Sequence, residues 1–369
     1  MGIVSSRTTK IRLLLLLFVV LVLFFVGQAR ASQPLRVYSW VNYFPPWLLE
    51  SFTAQTGIPV HISFFADNAA LYAKVKDEGL LVSYDVITPS GEMVQRLAME
   101  GLLRTLDPKR IPAMADMNPW FNNMPYDPGN RHSVPLFWGV MGLLVDRKVI
   151  PPEVEARITS YNDLWLPELK GKLVLLNDWR SAMSAMLLSL GYSVNEQDPA
   201  RLEEAMKKLE SLDPAVVIYD TVDQQETMLS SSTGVALSWG VERLSSNAPE
   251  ARFHFVFPKE GSPMWVDAMA VPANSKIPDS AFAFINFVLQ PENLARLSKE
   301  TGYAIAGEKA LALVPDYLRK NSVVYPPRAM RHALEVETMI PPKLAAPLER
   351  RWQKLKGSSE TSKPAPGAR

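Results

Sequence analysis

The chain repeats one local grammar: a short apolar strand, a turn, then an amphipathic helix closed by glycine. "LRVYSW" leads through Pro45-Pro46 into "WLLESFTAQTG", where Pro46 suits a helix's first turn and Gly57 its stop. "YDVITPSGEMVQRLAMEG" repeats the unit with Ser90 at the turn and Gly101 as stop. "KLVLLNDWRSAMSAMLLSLG" repeats it with Gly191, and "TGVALSWGVERLSS" is a weaker fourth copy. Strands alternating with helices of this length predict parallel sheets covered on both faces. Further on, "PDSAFAFINFVLQPENLARLSKETG" reads as two consecutive helices, with Asp279 or Ser280 capping the first and Pro291 opening the second. At 369 residues, 47% hydrophobic and 21% charged, the chain predicts two domains or lobes rather than one.

The first 31 residues stand apart. Arg7, Lys10 and Arg12 precede the 14-residue apolar run Leu13 to Val26, and Ala29-Arg30-Ala31 has the small-x-small pattern of a signal peptidase site. The run is shorter than the roughly 20 residues of a membrane span, so the reading is an export signal cleaved near Ala31. The chain has no cysteine, hence neither a disulfide nor a lipid-bearing cysteine. A free periplasmic protein of a Gram-negative cell is expected.

Losing Arg7, Lys10, Arg12 and Arg30 takes four positive charges from a formal net charge of +1 and leaves −3, which argues against a nucleic-acid partner. His61, His132, His254 and His332 form no metal-ligand spacing. No HExxH, Walker loop or GxGxxG occurs, so no metal or cofactor is expected. The final run "GSSETSKPAPGAR", 357–369, has no apolar periodicity and reads as a disordered tail.

In open α/β sheets, ligands bind outside the carboxyl ends of the strands. The residues at the strand-to-helix handovers are Trp40, Asn42 and Tyr43; Ser90 and Glu92; Asp178 and Arg180; Trp239 and Glu242. Taken singly, Ser90 and Asp178 are ordinary helix caps, and Trp40, Trp239 and Trp265 are ordinary core aromatics. Their coincidence favours a site. "GSPMWVDAMAVPAN" adds a further signal: Asp267 is the one charge in a strand that is otherwise apolar from Met264 to Val271, and burial disfavours it unless something cationic meets it. Trp265 and Asp267, two apart, share one face of that strand. Aromatic walls with carboxylates suit an organic cation, through cation–π contacts of about 0.5–2 kcal/mol each and charge-assisted hydrogen bonds.

"VYSWVNYFPPWLLESFTAQTGI", "YDVITPS", "VPLFWGVMGLLVD", "YNDLWLPELKGKL", "WVDAMAVPAN" and "FINFVLQPENL" together resemble the periplasmic spermidine/putrescine-binding proteins of ABC importers, in register from about Leu35 to Gly357. The resemblance implies a two-lobed periplasmic binding protein fold with the ligand cleft between lobes. Lobe 1 would comprise 33–138 plus 270–312 and lobe 2 139–269 plus 313–356, each a mostly parallel sheet with helices on both faces. It implies a ligand box of Trp40, Tyr43, Ser90, Asp178, Trp239, Trp265, Asp267 and Tyr303, with a late polar contact near Glu337. It further implies a monomer that closes over a small cationic amine and meets an inner-membrane ABC permease.

The departures concern charge. Asn42 and Ser181 stand where the family has acids, and Glu92 where it has a tyrosine; Glu242 falls where putrescine-selective members place an aspartate. These changes point to a short diamine over spermidine, unless Glu92 or Glu337 supplies the missing acid. Two other roles fit less well. A polyamine sensor reporting to a membrane receptor would share the fold. A serine hydrolase would use Ser238 in the elbow-like "ALSWG" with Asp267 and His332, but "RAMRHALEVE" around His332 reads as helix, not as a catalytic loop. We therefore expect no enzyme.

Overall fold

The computed structural model describes residues 33–76, 84–220, 224–240 and 250–361; the leader, Glu242 and residues 362–369 lie outside them. Strand β1 (Leu35–Ser39) leads into helix α1 (Pro46–Thr56), where Pro46 opens the helix and Gly57 closes it at φ 71°. That left-handed backbone is open to glycine at little cost. The pattern continues through β2 (Val60–Phe64), α2 (Asn68–Lys76), β3 (Val86–Ile87) and α3 (Gly91–Met99).

Strands β4 (Ser133–Val140) and β5 (Gly142–Asp146) follow, then β6 (Leu173–Leu176), α4 (Trp179–Ser189), α5 (Pro199–Leu212), β7 (Val216–Asp220), α6 (Gln224–Ser231), β8 (Val235–Ser238) and β9 (Phe253–Val256). The chain ends with β10 (Ser262–Ala270), α7 (Pro278–Val288), α8 (Pro291–Thr301), β11 (Ala304–Ile305), β12 (Leu334–Val336) and α9 (Pro342–Thr361). No helix among the described residues is long and apolar enough to cross a membrane.

Two sheets result. The larger runs β11-β4-β10-β3-β1-β2, with β12 added against β10, and the smaller runs β7-β6-β8-β5-β9. Pairing is parallel within the strand–helix units, β1 with β2 and β3, and β6 with β7 and β8. It is antiparallel where β10 meets β3 and β4, where β4 meets β11, and where β5 meets β8 and β9. Each sheet is therefore mixed, not mostly parallel. A parallel return needs a helical crossover, and β5 and β10 enter their sheets from the other lobe without one.

The division between lobes also differs from the sequence reading. Only Met141 separates β4 in the larger sheet from β5 in the smaller, and β10 lies in the larger sheet along its whole length. Residues following β11 stay with the larger sheet, since the Tyr325 hydroxyl meets the Ile305 backbone at 3.3 Å, whereas Ile340 and Trp352 join the second core. A run apolar on both faces shows that a strand is buried without showing which sheet takes it.

Three smaller expectations change. Pro278 opens α7, so Asp279 lies within the helix and pairs with Arg110 without capping. Arg328–Ala333 is a 3-10 turn leading into β12. Helix α9 continues past Gly357 to Thr361, where a tail was expected.

Candidate functional site

Asp267 lies in β10 opposite Phe137 of β4, 6% exposed, with a register shift immediately after it. Its Oδ2 accepts a hydrogen bond from the Tyr43 hydroxyl, and among the described residues no cationic side chain meets it. Burial without a counter-charge pushes its carboxyl up from 3.8 to about 7, only partly opposed by Tyr43. Burial, then the charge of Asp267, holds the Tyr43 phenol well above its usual range.

The walls are aromatic. Tyr43 packs edge-on to Phe137 at 4.9 Å and Tyr303 at 5.4 Å, and Trp265 stands edge-on to Tyr303 at 6.2 Å. Trp265 is seated over Gly139, its partner in register, where a Cβ would fall 2.4 Å from the indole. Phe137 and Gly139 escaped the sequence reading, because register against β10 leaves no mark in the local pattern.

These values set a pH dependence. The fold favours protonated Asp267, so its contribution to stability is complete below about pH 4 and lost as pH rises through about 7. Binding a cation has the opposite sign, since it needs the carboxylate. If the ligand is an ammonium held by Asp267 and charged throughout, its affinity is expected to rise about tenfold from pH 6 to pH 8. Calorimetric titration of putrescine at both values checks this, and equal affinities would remove Asp267 as the acid that the amine meets.

A second set of contacts crosses between lobes. The Trp265 indole Nε1 donates to the Trp239 carbonyl at 3.1 Å, and the Trp239 Nε1 donates to Ser181 Oγ at 3.1 Å. Ser181 in turn donates its backbone N–H to Asp178 Oδ1 at 2.7 Å, so Asp178 is indeed the cap of α4. The capping geometry leaves its carboxylate at the same lobe-facing end as both indoles. Two of the three tryptophans are thereby held by each other and by Ser181.

Two residues beyond Asp178, the buried Arg180 side chain points between lobes. Its Nε lies 3.5 Å from Glu92 of α3 and its Nη1 3.6 Å from Glu337. It also donates to Ser184 at 2.5 Å and to Asn195 and the Thr338 carbonyl at 3.2 and 3.3 Å, while Ser184 donates to Glu337 at 2.6 Å. Burial pushes Glu92 up to about 8 against the pull of Arg180, with the charges of Glu337 and Asp178 adding to the rise. Glu337 is raised for the same leading reason. Arg180 was visible in the sequence only as a handover residue; its position between two acids distant in sequence was not.

The remaining candidates are more dispersed. Trp40 packs on Phe65 at 4.4 Å with its Nε1 buried and unpartnered among the described residues. Asn42 is exposed at φ 68°, a backbone that asparagine tolerates better than glutamate, which gives a local reason for the lost acid. Ser90 receives a hydrogen bond from Asn68, makes no side-chain cap, and pairs as an isolated bridge with Asp267. Glu242 lies outside the described residues. Ser238 is buried and accepts from the Gly240 N–H, Asp267 is bonded to Tyr43, and His332 is exposed, so the structure does not join these three as a triad.

Two sheets joined by crossing strands, with a buried acid and aromatic rings facing the crossing, have the architecture of a two-lobed binding protein. The chain belongs to the bacterial extracellular solute-binding proteins, whose family model matches residues 47–321. It is 34% identical over 300 residues to the spermidine/putrescine-binding periplasmic protein 1 of Haemophilus influenzae, covering 81% of this chain and 82% of that one. It is 27% identical to the putrescine-binding periplasmic protein PotF of Escherichia coli, covering 90% and 94%. A solved structure of a putative spermidine/putrescine ABC transporter from Listeria monocytogenes superposes with TM-score 0.80 at 31% identity, covering 88% of this chain and 99% of that one.

Proposed function

We propose that this protein captures a polyamine in the periplasm by closing its lobes and delivers it to an inner-membrane ABC permease, its leader having been removed near Ala31. The observation that carries the reading is Asp267: a buried carboxylate, bonded to a phenol and walled by Tyr43, Phe137, Tyr303 and Trp265, that meets no cationic side chain among the described residues. An ammonium supplies the missing charge, and the rings face its methylene chain. The relatives named for spermidine and putrescine support delivery rather than sensing or catalysis. Lobe closure expels water and strengthens the ion pair.

We further propose that short diamines bind better than spermidine. Asn42 and Ser181 carry no charge, and Glu92 and Glu337 already face Arg180, so a third ammonium enters without a free acid. An enclosed, unpaired ammonium loses several kcal/mol of hydration, more than the added methylenes return. Calorimetry with putrescine, cadaverine and spermidine is expected to rank both diamines first. Spermidine binding tenfold tighter than either diamine overturns the preference, and no binding by any amine overturns the function.

A further inference from the structure

Tyr126 lies in the segment between α3 and β4, which holds none of the site residues described above. It is 2% exposed, and its hydroxyl is fully buried with no hydrogen-bond partner among the described residues. Its neighbour Asp127 is fully committed: the carboxylate accepts from the backbone of Arg131 at 3.1 Å and of His132 at 3.0 Å, and from Ser133 Oγ at 2.7 Å. Those bonds tie the loop to the start of β4, where Ser133 pairs with Ala270 of β10.

Tyr126 also packs beside the segment that bridges to the acid. Its ring lies against Gly91, so tightly that a Cβ at Gly91 would fall 2.4 Å from Cδ1. Gly91 directly follows Ser90, the residue bridged to Asp267. The charges of Asp127 and Asp267 both add to the burial that holds the Tyr126 phenol well above its usual range. The hydroxyl is thus buried, protonated, unpaired and within electrostatic reach of Asp267.

A buried hydroxyl without a partner is costly, and the few that folded proteins keep need an explanation. We infer that Tyr126 is a further ligand-binding residue, whose phenol oxygen accepts a hydrogen bond from the same ammonium that Asp267 draws in. This rests on the amine-binding reading above. The two oxygens then divide the work: Asp267 supplies charge, and Tyr126 supplies direction.

Tyr126→Phe tests it, because the two roles open to the hydroxyl predict opposite results. If the oxygen meets the amine, the variant binds putrescine about tenfold more weakly, while the ligand-free thermal midpoint stays the same or rises as an unpaired polar atom is removed. Unchanged putrescine affinity overturns the inference while leaving wild-type amine binding intact. A fall in both midpoint and affinity assigns Tyr126 to packing and overturns it equally. Wild-type protein that binds no amine sinks this inference together with the function beneath it.

Discussion

Asp267→Asn is expected to weaken putrescine binding by at least about thirtyfold and to leave the ligand-free protein as stable as before or more so. Truncating one member of a buried charge pair costs about 2–5 kcal/mol, or roughly thirtyfold and upward in affinity. The second half of the expectation follows from the free protein, in which no cation among the described residues offsets the burial of Asp267. Its folded value of about 7 exceeds its unfolded 3.8, so ionisation above pH 7 works against the fold. Asparagine removes that penalty, and the thermal gain is expected to be greater at pH 8 than at pH 5. The variant is also expected to lose much of the rise in affinity between pH 6 and pH 8, leaving Glu92, at about 8, as the main acid titrating there. Unchanged affinity in a folded variant would sink the assignment.

The second large effect concerns Arg180. Arg180→Met leaves Glu92 and Glu337 facing each other without the cation between them, in a setting where removing one partner of a buried pair costs about 3–5 kcal/mol. A fall of roughly 5–10 °C in thermal midpoint is expected at pH 8. Adding Glu92→Gln and Glu337→Gln should restore most of it, because charge rather than shape is what the single variant upsets. Binding should change as well: the two acids released from Arg180 can give up their protons to face a third ammonium, so spermidine gains on putrescine. Calorimetry with both amines, alongside thermal melts of the single and triple variants, reads the two effects separately. A single variant with wild-type stability and wild-type amine ranking shows that Arg180 neither braces the acids nor occupies their place.

Arg180 also revises the significance of the two new acids. From the sequence, Glu92 and Glu337 could be counted as substitutes for the acids lost at Asn42 and Ser181. In the fold they are partners of an arginine first. Asp178 illustrates the converse, since the plain reading as a helix cap is correct for its Oδ1 and the residue still lies at the lobe-facing end of α4.

By itself, the sequence determined what depends on neighbours along the chain. Pro46 opening α1, Gly57 closing it, Asp178 capping α4 and Trp265 sharing a face with Asp267 follow from backbone dihedrals and strand alternation, which act over a few residues. The burial of Asp267 was legible for the same reason, as one charge in an apolar strand. Only the tertiary structure decided that Phe137 lies opposite that acid, that Arg180 stands between Glu92 and Glu337, that Tyr126 comes up beneath Gly91, and that β10 joins the larger sheet. Periodicity tells which face of an element is buried. What that face meets is set by register and by the crossing of chain between lobes, which bring together segments whose local patterns carry no record of one another.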